Sequence, residues 1–202
     1  ALDVRETTPV DRLPGIHYVP CDVRSPDLSR IFRDLSPDVV VHLASIVTPG
    51  KKADRAFEYS VDVEGTENVL RACLQAAVQR IIVTSSGAAY GYHADSPAWL
   101  SETDPLRGNP EFAYSDHKRL VEEMLERYRQ ECPQLGQLVL RPGTILGKTT
   151  SNQITALFER PFIPGVRGAA IPFVFIWDSD VVACILKGIR EGTTGIFNLA
   201  GD

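Results

Sequence analysis

The sequence predicts an α/β protein built on a doubly wound parallel sheet. Short continuous apolar runs, Asp38-Val-Val-Val-His-Leu43, Arg80-Ile-Ile-Val-Thr84 and Gln137-Leu-Val-Leu-Arg141, read as strands buried on both faces. Amphipathic helical segments alternate with them in the order β-α-β-α-β-α-β, joined by short connections. Small or polar residues follow one strand after another, as they do where such a sheet opens a ligand crevice at its carboxyl edge.

An abrupt apolar start, Ala1-Leu2, leads to Asp3, and residues 16–20 form a short β-rich run. Ser25-Pro26-Asp27 then reads as an N-cap, a proline at the first helical position and an acid in the first turn. The helix it opens carries Leu28, Ile31, Phe32 and Leu35 at helical spacing and ends at Ser36-Pro37. After the strand at 38–43, a long helix covers residues 53–77, with Val61, Val69, Leu70, Cys73 and Leu74 among its apolar positions. The strand at 80–84 and a loop through Asn109 precede a helix over 110–131, with Leu120, Val121, Met124, Leu125 and Tyr128 inward. Pro142-Gly143 closes the strand at 137–141. Past Gly147 the pattern loosens into a Pro/Gly-rich segment. A strand at 173–177, a helix at 179–190 and a strand at 195–200 follow.

Composition is ordinary for a globular protein, with 44% hydrophobic and 23% charged residues. Net charge is −5 and basic residues form no long cluster, which argues against a nucleic-acid partner. No apolar run approaches bilayer-spanning length, so no membrane partner is expected. Cys21, Cys73, Cys132 and Cys184 are scattered, without Cys-x-x-Cys or interleaved histidines. That spacing argues against a metal site and suits a reducing cytoplasm.

Tyr114 and Lys118 stand four residues apart near the start of the helix at 110–131, so phenol and ammonium leave the same face. A nearby ammonium favours phenolate and lowers the tyrosine pKa, which suits an acid/base near neutral pH. Alone, Tyr-x-x-x-Lys is a common coincidence. The strand ends give it weight: Asp3, Asp22, Ala44-Ser45, Ser85-Ser86 and Pro142-Gly143-Thr144 would line one continuous crevice.

Six stretches now add up to a resemblance: Cys-Asp22-Val23-Arg, Val-His-Leu43-Ala44-Ser45, Val-Asp62-Val-Glu-Gly65-Thr-Glu-Asn68-Val-Leu, Thr-Ser-Ser86-Gly-Ala-Ala-Tyr90-Gly91, Tyr114-Ser-Asp-His-Lys118 and Leu-Arg141-Pro-Gly143-Thr-Ile-Leu-Gly147. In this order and spacing the chain resembles the extended short-chain dehydrogenase/reductase family, also called the NAD-dependent epimerase/dehydratase family. The resemblance implies a Rossmann-like sheet that lacks its first βα unit. Residues 1–147 would form the cofactor domain, and residues 148–202 part of a small substrate lobe with elements returning to the core.

The resemblance also implies roles. Asp3 would bind the adenosine ribose hydroxyls, which favours NAD over NADP, although Arg5 nearby would suit the 2′-phosphate of NADP. Asp22 and Val23 would flank the adenine. Leu43, Ala44 and Ser45 would line the dinucleotide path, and Gly143 would lie by the nicotinamide. Ser86, with Ser85 as its competitor, would hydrogen-bond the substrate oxygen with which Tyr114 exchanges a proton. Lys118 would hold the nicotinamide ribose. His117 projects about 100° away from Lys118 on the helix and reads as a neighbour. Gly65 inside its helix costs about 1 kcal/mol relative to alanine and reads either as a tolerated weakness or as a sign of close helix packing.

Two departures stand out. Asp62 occupies a cofactor-side position where the family usually has asparagine, and an ionised aspartate only accepts hydrogen bonds. The glycine-rich phosphate turn is absent, so a fragment of a longer protein is expected. The implied activity is that of an NAD(P)-dependent oxidoreductase or epimerase acting on a nucleotide sugar or related hydroxyl/carbonyl compound. Ser86-Gly87-Ala88 lacks the acid pair of a 4,6-dehydratase. The rival reading is a cofactor-binding regulatory or scaffold protein without turnover. A homodimer through the helices at 53–77 and 110–131 is the implied assembly, and loops at 45–52, 92–109 and 147–171 would shape the substrate pocket.

Overall fold

Four parallel strands form the central sheet of the computed structural model, which describes residues 1–47, 54–150, 155–156, 159–162 and 173–201. They are β3 (Val39–His42), β4 (Arg80–Thr84), β5 (Gly136–Pro142) and β8 (Gly195–Leu199), in the order β3-β4-β5-β8. Val39 faces Arg80, Thr84 faces Leu140 and Pro142 faces Leu199, so the strands end together at one carboxyl edge. Two short parallel pairs stand apart from this sheet. β1 (Leu2–Asp3) pairs with β2 (Val19–Pro20), and β6 (Thr144–Leu146) pairs with β7 (Phe175–Trp177).

Alternation along the strands divides the core. Ile81, Val83 and Val139 pack on one face beneath α1 (Leu28–Leu35), α3 (Gly65–Gln75) and α4 (Ala113–Glu131), through Phe32, Leu70, Cys73, Val121 and Leu125. Ile82, Leu138 and Leu140 face the other side, where α5 (Asp178–Glu191) brings Cys184, Ile185 and Ile189. Helices therefore cover both faces, as the continuous apolar strands require. Among the described residues, no helix is long and apolar enough to cross a membrane, and the four cysteines are free thiols.

Several boundaries differ from the sequence expectation for local reasons. Ser25-Pro26-Asp27 forms a turn before α1 instead of its first residues: Ser25 Oγ accepts the Asp27 N–H at 3.2 Å, and the helix starts at Leu28. The run at 16–20 is reduced to the two residues that pair with β1. β7 falls within the strand expected at 173–177, whereas its partner β6 was not anticipated, because a three-residue strand carries too few positions to show a period.

The long helix is interrupted. α2 (Arg55–Tyr59) runs into a π turn, Ser60–Glu64, before α3 continues; residue 53, where the helix was expected to open, lies outside the described residues. The turn is closed by the Gly65 N–H donating to Ser60 O, five residues back. Such a turn adds one residue to the helix and re-aims the side chain it carries, here Asp62. Gly65 follows directly, and its reason is steric. A Cβ there would stand 2.7 Å from Val23 Cγ2, so it is the chain after β2 that presses closely on the helix. Asn68 clamps that chain by donating from Nδ2 to Val23 O at 2.7 Å and Ser25 O at 2.9 Å.

Gly65→Ala would gain about 1 kcal/mol of helix propensity but overpack a stiff β-branched neighbour at a cost of about 1–3 kcal/mol. The expected outcome is a lower melting temperature by calorimetry. An unchanged or raised value would show that Val23 yields freely.

Candidate active site

The carboxyl edge of the sheet gathers the polar side chains of the core. At the end of β3, His42 is buried, and its Nε2 lies 2.9 Å from Thr66 Oγ1 on α3. Thr66 has one hydroxyl proton and directs it to Asp62 O at 2.5 Å, so His42 Nε2 is the donor of the pair. Burial, with Lys118 adding to it, pulls the His42 imidazole down to about 4, and it stays neutral near pH 7.

Asp62, aimed inward by the π turn, spans the cleft between the β3 end and α4. Its Oδ1 accepts Ser45 Oγ–H at 3.0 Å and the Ile46 N–H at 2.8 Å, while Oδ2 meets His117 Nδ1 at 3.0 Å. Lys118, next along α4, is 8% exposed and donates from Nζ to Thr84 O at 3.2 Å. Burial pushes its ammonium below the usual lysine range, against the opposing pull of Asp62 and Glu122. His42, Ala44, Ser45, Asp62, Thr66, Thr84 and Lys118 line one pocket.

One turn before Lys118, Tyr114 stands beside Ser86, and the ammonium of Lys118 lies 5.5 Å from the centre of its ring. The phenol is held above the ordinary tyrosine value. Burial is the main cause, and the neighbouring Ser86 hydroxyl opposes it. This reverses the direction expected from the Tyr/Lys spacing: Lys118 turns to the Thr84 carbonyl, and desolvation of the phenol prevails. Ser86 Oγ also caps the 3₁₀ turn Gly87–Tyr90 by accepting the Ala88 N–H at 3.1 Å. Ser85 points away and donates to Glu122 Oε1 at 2.6 Å. The two serines that sequence reasoning left in competition are thus separated, with Ser86 beside Tyr114.

Other sequence-chosen residues lie around this centre or apart from it. Leu43 and Ala44 are exposed just beyond β3, with Leu43 at 60%. Asp22 is held by Arg24 through Nη2 at 2.6 Å, which keeps its carboxyl below the usual range. Arg24 in turn reaches Ser60 Oγ at 3.1 Å, tying Asp22 and Val23 to the π turn. Asp3 lies in the β1–β2 pair and accepts the Arg5 N–H at 2.8 Å, chiefly for which its carboxyl is lowered. It lines a separate hollow with Arg5, Arg12 and Tyr18. Gly143 is fixed by packing: a Cβ there would stand 2.6 Å from Val174 O. The loops expected at 45–52 and 147–171 fall largely outside the described residues.

Sequence reasoning gave no role to the network beneath the site. Arg141 holds Glu122 with Nε and Nη2, the latter at 2.5 Å, and both side chains are 3% exposed. Arg141 Nη1 also donates to Tyr90 OH at 2.6 Å, which donates in turn to Asn198 Oδ1 at 2.8 Å. The available signal was an arginine inside an apolar strand, which needs a buried counter-charge. Among the described residues, no cluster of His, Cys, Asp or Glu is placed to hold a metal.

A sequence model described as the NAD dependent epimerase/dehydratase family matches residues 2–200. The chain is 20% identical over 192 residues to an uncharacterised protein of Mycobacterium tuberculosis, covering 95% of this chain and 51% of that one. It is 29% identical over 146 residues to the decarboxylating sterol-4-alpha-carboxylate 3-dehydrogenase of Schizosaccharomyces pombe, covering 69% and 37%. The chain thus spans about half the length, or less, of these curated relatives. Among solved structures, the Thermus thermophilus UDP-glucose 4-epimerase complex with NAD superposes with a TM-score of 0.78 at 24% identity, covering 98% of this chain and 68% of that one. The Thermotoga maritima UDP-glucose 4-epimerase with UDP-glucose gives 0.80 at 21%, covering 98% and 67%. At these identities the likeness is one of fold.

His42 generates a pH signature. Its folded value near 4 lies below its ordinary 6.5, so the unfolded chain takes up a proton first as pH falls. Its contribution to stability is full above 6.5, is lost progressively down to about 4, and amounts to about 3 kcal/mol. His42→Gln, which keeps a donor toward Thr66, should shrink the stability difference between about pH 7.5 and about pH 4 by that order in urea unfolding. An unchanged difference would show that His42 titrates normally.

Proposed function

The chain belongs to the NAD-dependent epimerase/dehydratase family, and on that premise we propose that it is an NAD-dependent oxidoreductase or epimerase. Its substrate class would be nucleotide sugars or related hydroxyl/carbonyl compounds. The observation that carries this reading is the convergence of Ser86, Tyr114 and Lys118 at the carboxyl edge, with Tyr114 beside Ser86 and Lys118 buried one turn further on.

The residues present fit a dinucleotide. Lys118 has three N–H donors and uses one among the described residues, which leaves donors for ribose hydroxyls. Leu43 and Ala44 offer exposed apolar surface beside it, and Ser45 stands next along the path. Asp3, Asp22, Val23 and Gly143 are proposed for the adenosine and nicotinamide ends, with Arg5 keeping NADP as the alternative cofactor. NAD, when bound, supplies the hydride acceptor and donor. Tyr114 takes the proton of a substrate hydroxyl as its carbon is oxidised and returns a proton when a carbonyl is reduced. Ser86 hydrogen-bonds the same substrate oxygen, and Lys118 holds the ribose. The UDP-sugar epimerases that share the fold support a nucleotide sugar, and the sterol dehydrogenase relative supports net oxidation of an alcohol. Accumulation of NADH during turnover separates dehydrogenase from epimerase. A homodimer through the helices at 53–77 and 110–131 is part of the proposal. Phe57 and Tyr59, both more than a third exposed, support it, and sedimentation should give twice the monomer mass.

Tyr114→Phe removes the proton carrier and leaves the ring. Turnover of UDP-glucose with NAD is expected to fall by about 10²–10⁴-fold with NAD affinity nearly unchanged. Because burial raises the Tyr114 phenol, the rate of alcohol oxidation should climb with pH along a limb lying above the ordinary tyrosine value. Turnover that survives in Tyr114→Phe would remove Tyr114 from the chemistry.

A further inference from the structure

Asp62 and His117 are separated by 55 residues and meet in the core. Asp62 is 4% and His117 2% exposed. A carboxylate only accepts, so the proton on the 3.0 Å line between them belongs to His117 Nδ1. The other ring nitrogen, Nε2, is buried with no hydrogen-bond partner among the described residues, and the ring meets Tyr59 edge to face at 5.6 Å. Leaving Nε2 unpaired has a cost, and the imidazole is oriented by its single bond to Asp62.

Asp62 is the point where three parts of the site are joined. One oxygen holds Ser45 and Ile46, the chain along the proposed cofactor path, and the other holds α4 at His117, the neighbour of Lys118. Its charge also opposes the loss of the Lys118 ammonium's solvation. An amide in place of the carboxylate would keep the Ser45 and Ile46 bonds on its oxygen but would turn an NH₂ toward His117. Nδ1 would then have to be the acceptor, and the ring proton would move to the unpartnered Nε2. The aspartate and the histidine are therefore matched, each requiring the other.

We propose that His117 is a positioning residue: by donating from Nδ1 it holds the Asp62 carboxylate where that group pins the Ser45–Ile46 chain and supports the Lys118 ammonium. This rests on the cofactor reading above. The titratable groups facing the pair are Lys118 and Tyr114 on the helix of His117, Tyr59 on the neighbouring helix and His42 at the end of β3, while Glu122 from α4 acts on Lys118. His117 touches neither substrate nor cofactor in this account. Its effect passes through Asp62.

The test uses NAD titration by calorimetry on the full-length protein, with thermal melts to confirm folding. His117→Ala leaves Asp62 Oδ2 without its donor and should weaken NAD binding roughly tenfold or more. His117→Asn, whose side-chain NH₂ donates from close to the Nδ1 position, should recover most of that loss. Wild-type affinity in His117→Ala overturns the proposal, and so does His117→Asn as weak as His117→Ala. If His117→Ala does not fold, the imidazole ¹⁵N spectrum of the wild-type protein decides. A protonated Nδ1 that becomes unprotonated in Asp62→Asn supports the pair, and an unprotonated wild-type Nδ1 overturns it. A wild-type protein that binds no NAD removes the cofactor reading and this inference together, whereas normal wild-type binding with an indifferent His117→Ala removes this inference alone.

Discussion

Burying the ammonium of Lys118 is the constraint on which the rest of the site depends. A charge taken out of water costs several kcal/mol unless it is compensated, and here the compensation comes in layers. Thr84 O accepts a hydrogen bond, and the carboxylates of Asp62 and Glu122 oppose the loss of solvation. Each carboxylate is itself buried and needs partners in turn. Glu122 finds Arg141 and Ser85, while Asp62 finds Ser45, Ile46 and His117. One lysine thereby commits residues from the chain after β3, from β4, β5 and α4, and from the helix that carries the π turn.

That layering explains which parts were legible in the sequence. The parallel sheet was, because continuous apolar runs such as Val39–His42 and Arg80–Thr84 have few other uses. The Tyr114/Lys118 spacing and the polar strand ends were also visible, since turn residues after buried strands follow a local rule. The π turn was not. One extra residue leaves the apolar pattern on either side intact, and only the phase between the two halves changes. The direction of the Tyr114 shift was misjudged for a related reason. Spacing reveals a neighbouring charge, but the desolvation that outweighs it depends on packing.

The Asp62–His117 pair shows the limit most clearly. Each residue stood out or was dismissed singly, Asp62 as a departure from the family pattern and His117 as a bystander one position from Lys118. Their meaning lies in the contact, which exists only once α4 packs on the interrupted helix. The same holds for Gly65, whose missing side chain makes room for Val23 and not for a helix. Arg141 differs, because a cation within an apolar strand announces that an acid is near without saying which one.

The hydrogen bond from Tyr90 to Asn198 spans 108 residues, and Arg80 reaches Gly188 O across a similar stretch. Contacts so distant along the chain close late, after loop entropy has been overcome. During synthesis, β3, β4 and α4 can leave the ribosome and begin to pack while the Arg141–Tyr90 corner still awaits residue 198. A nascent chain halted before that point would hold the corner through Ser101 O and Glu102 O, and the Asn198 acceptor joins it only when β8 has emerged.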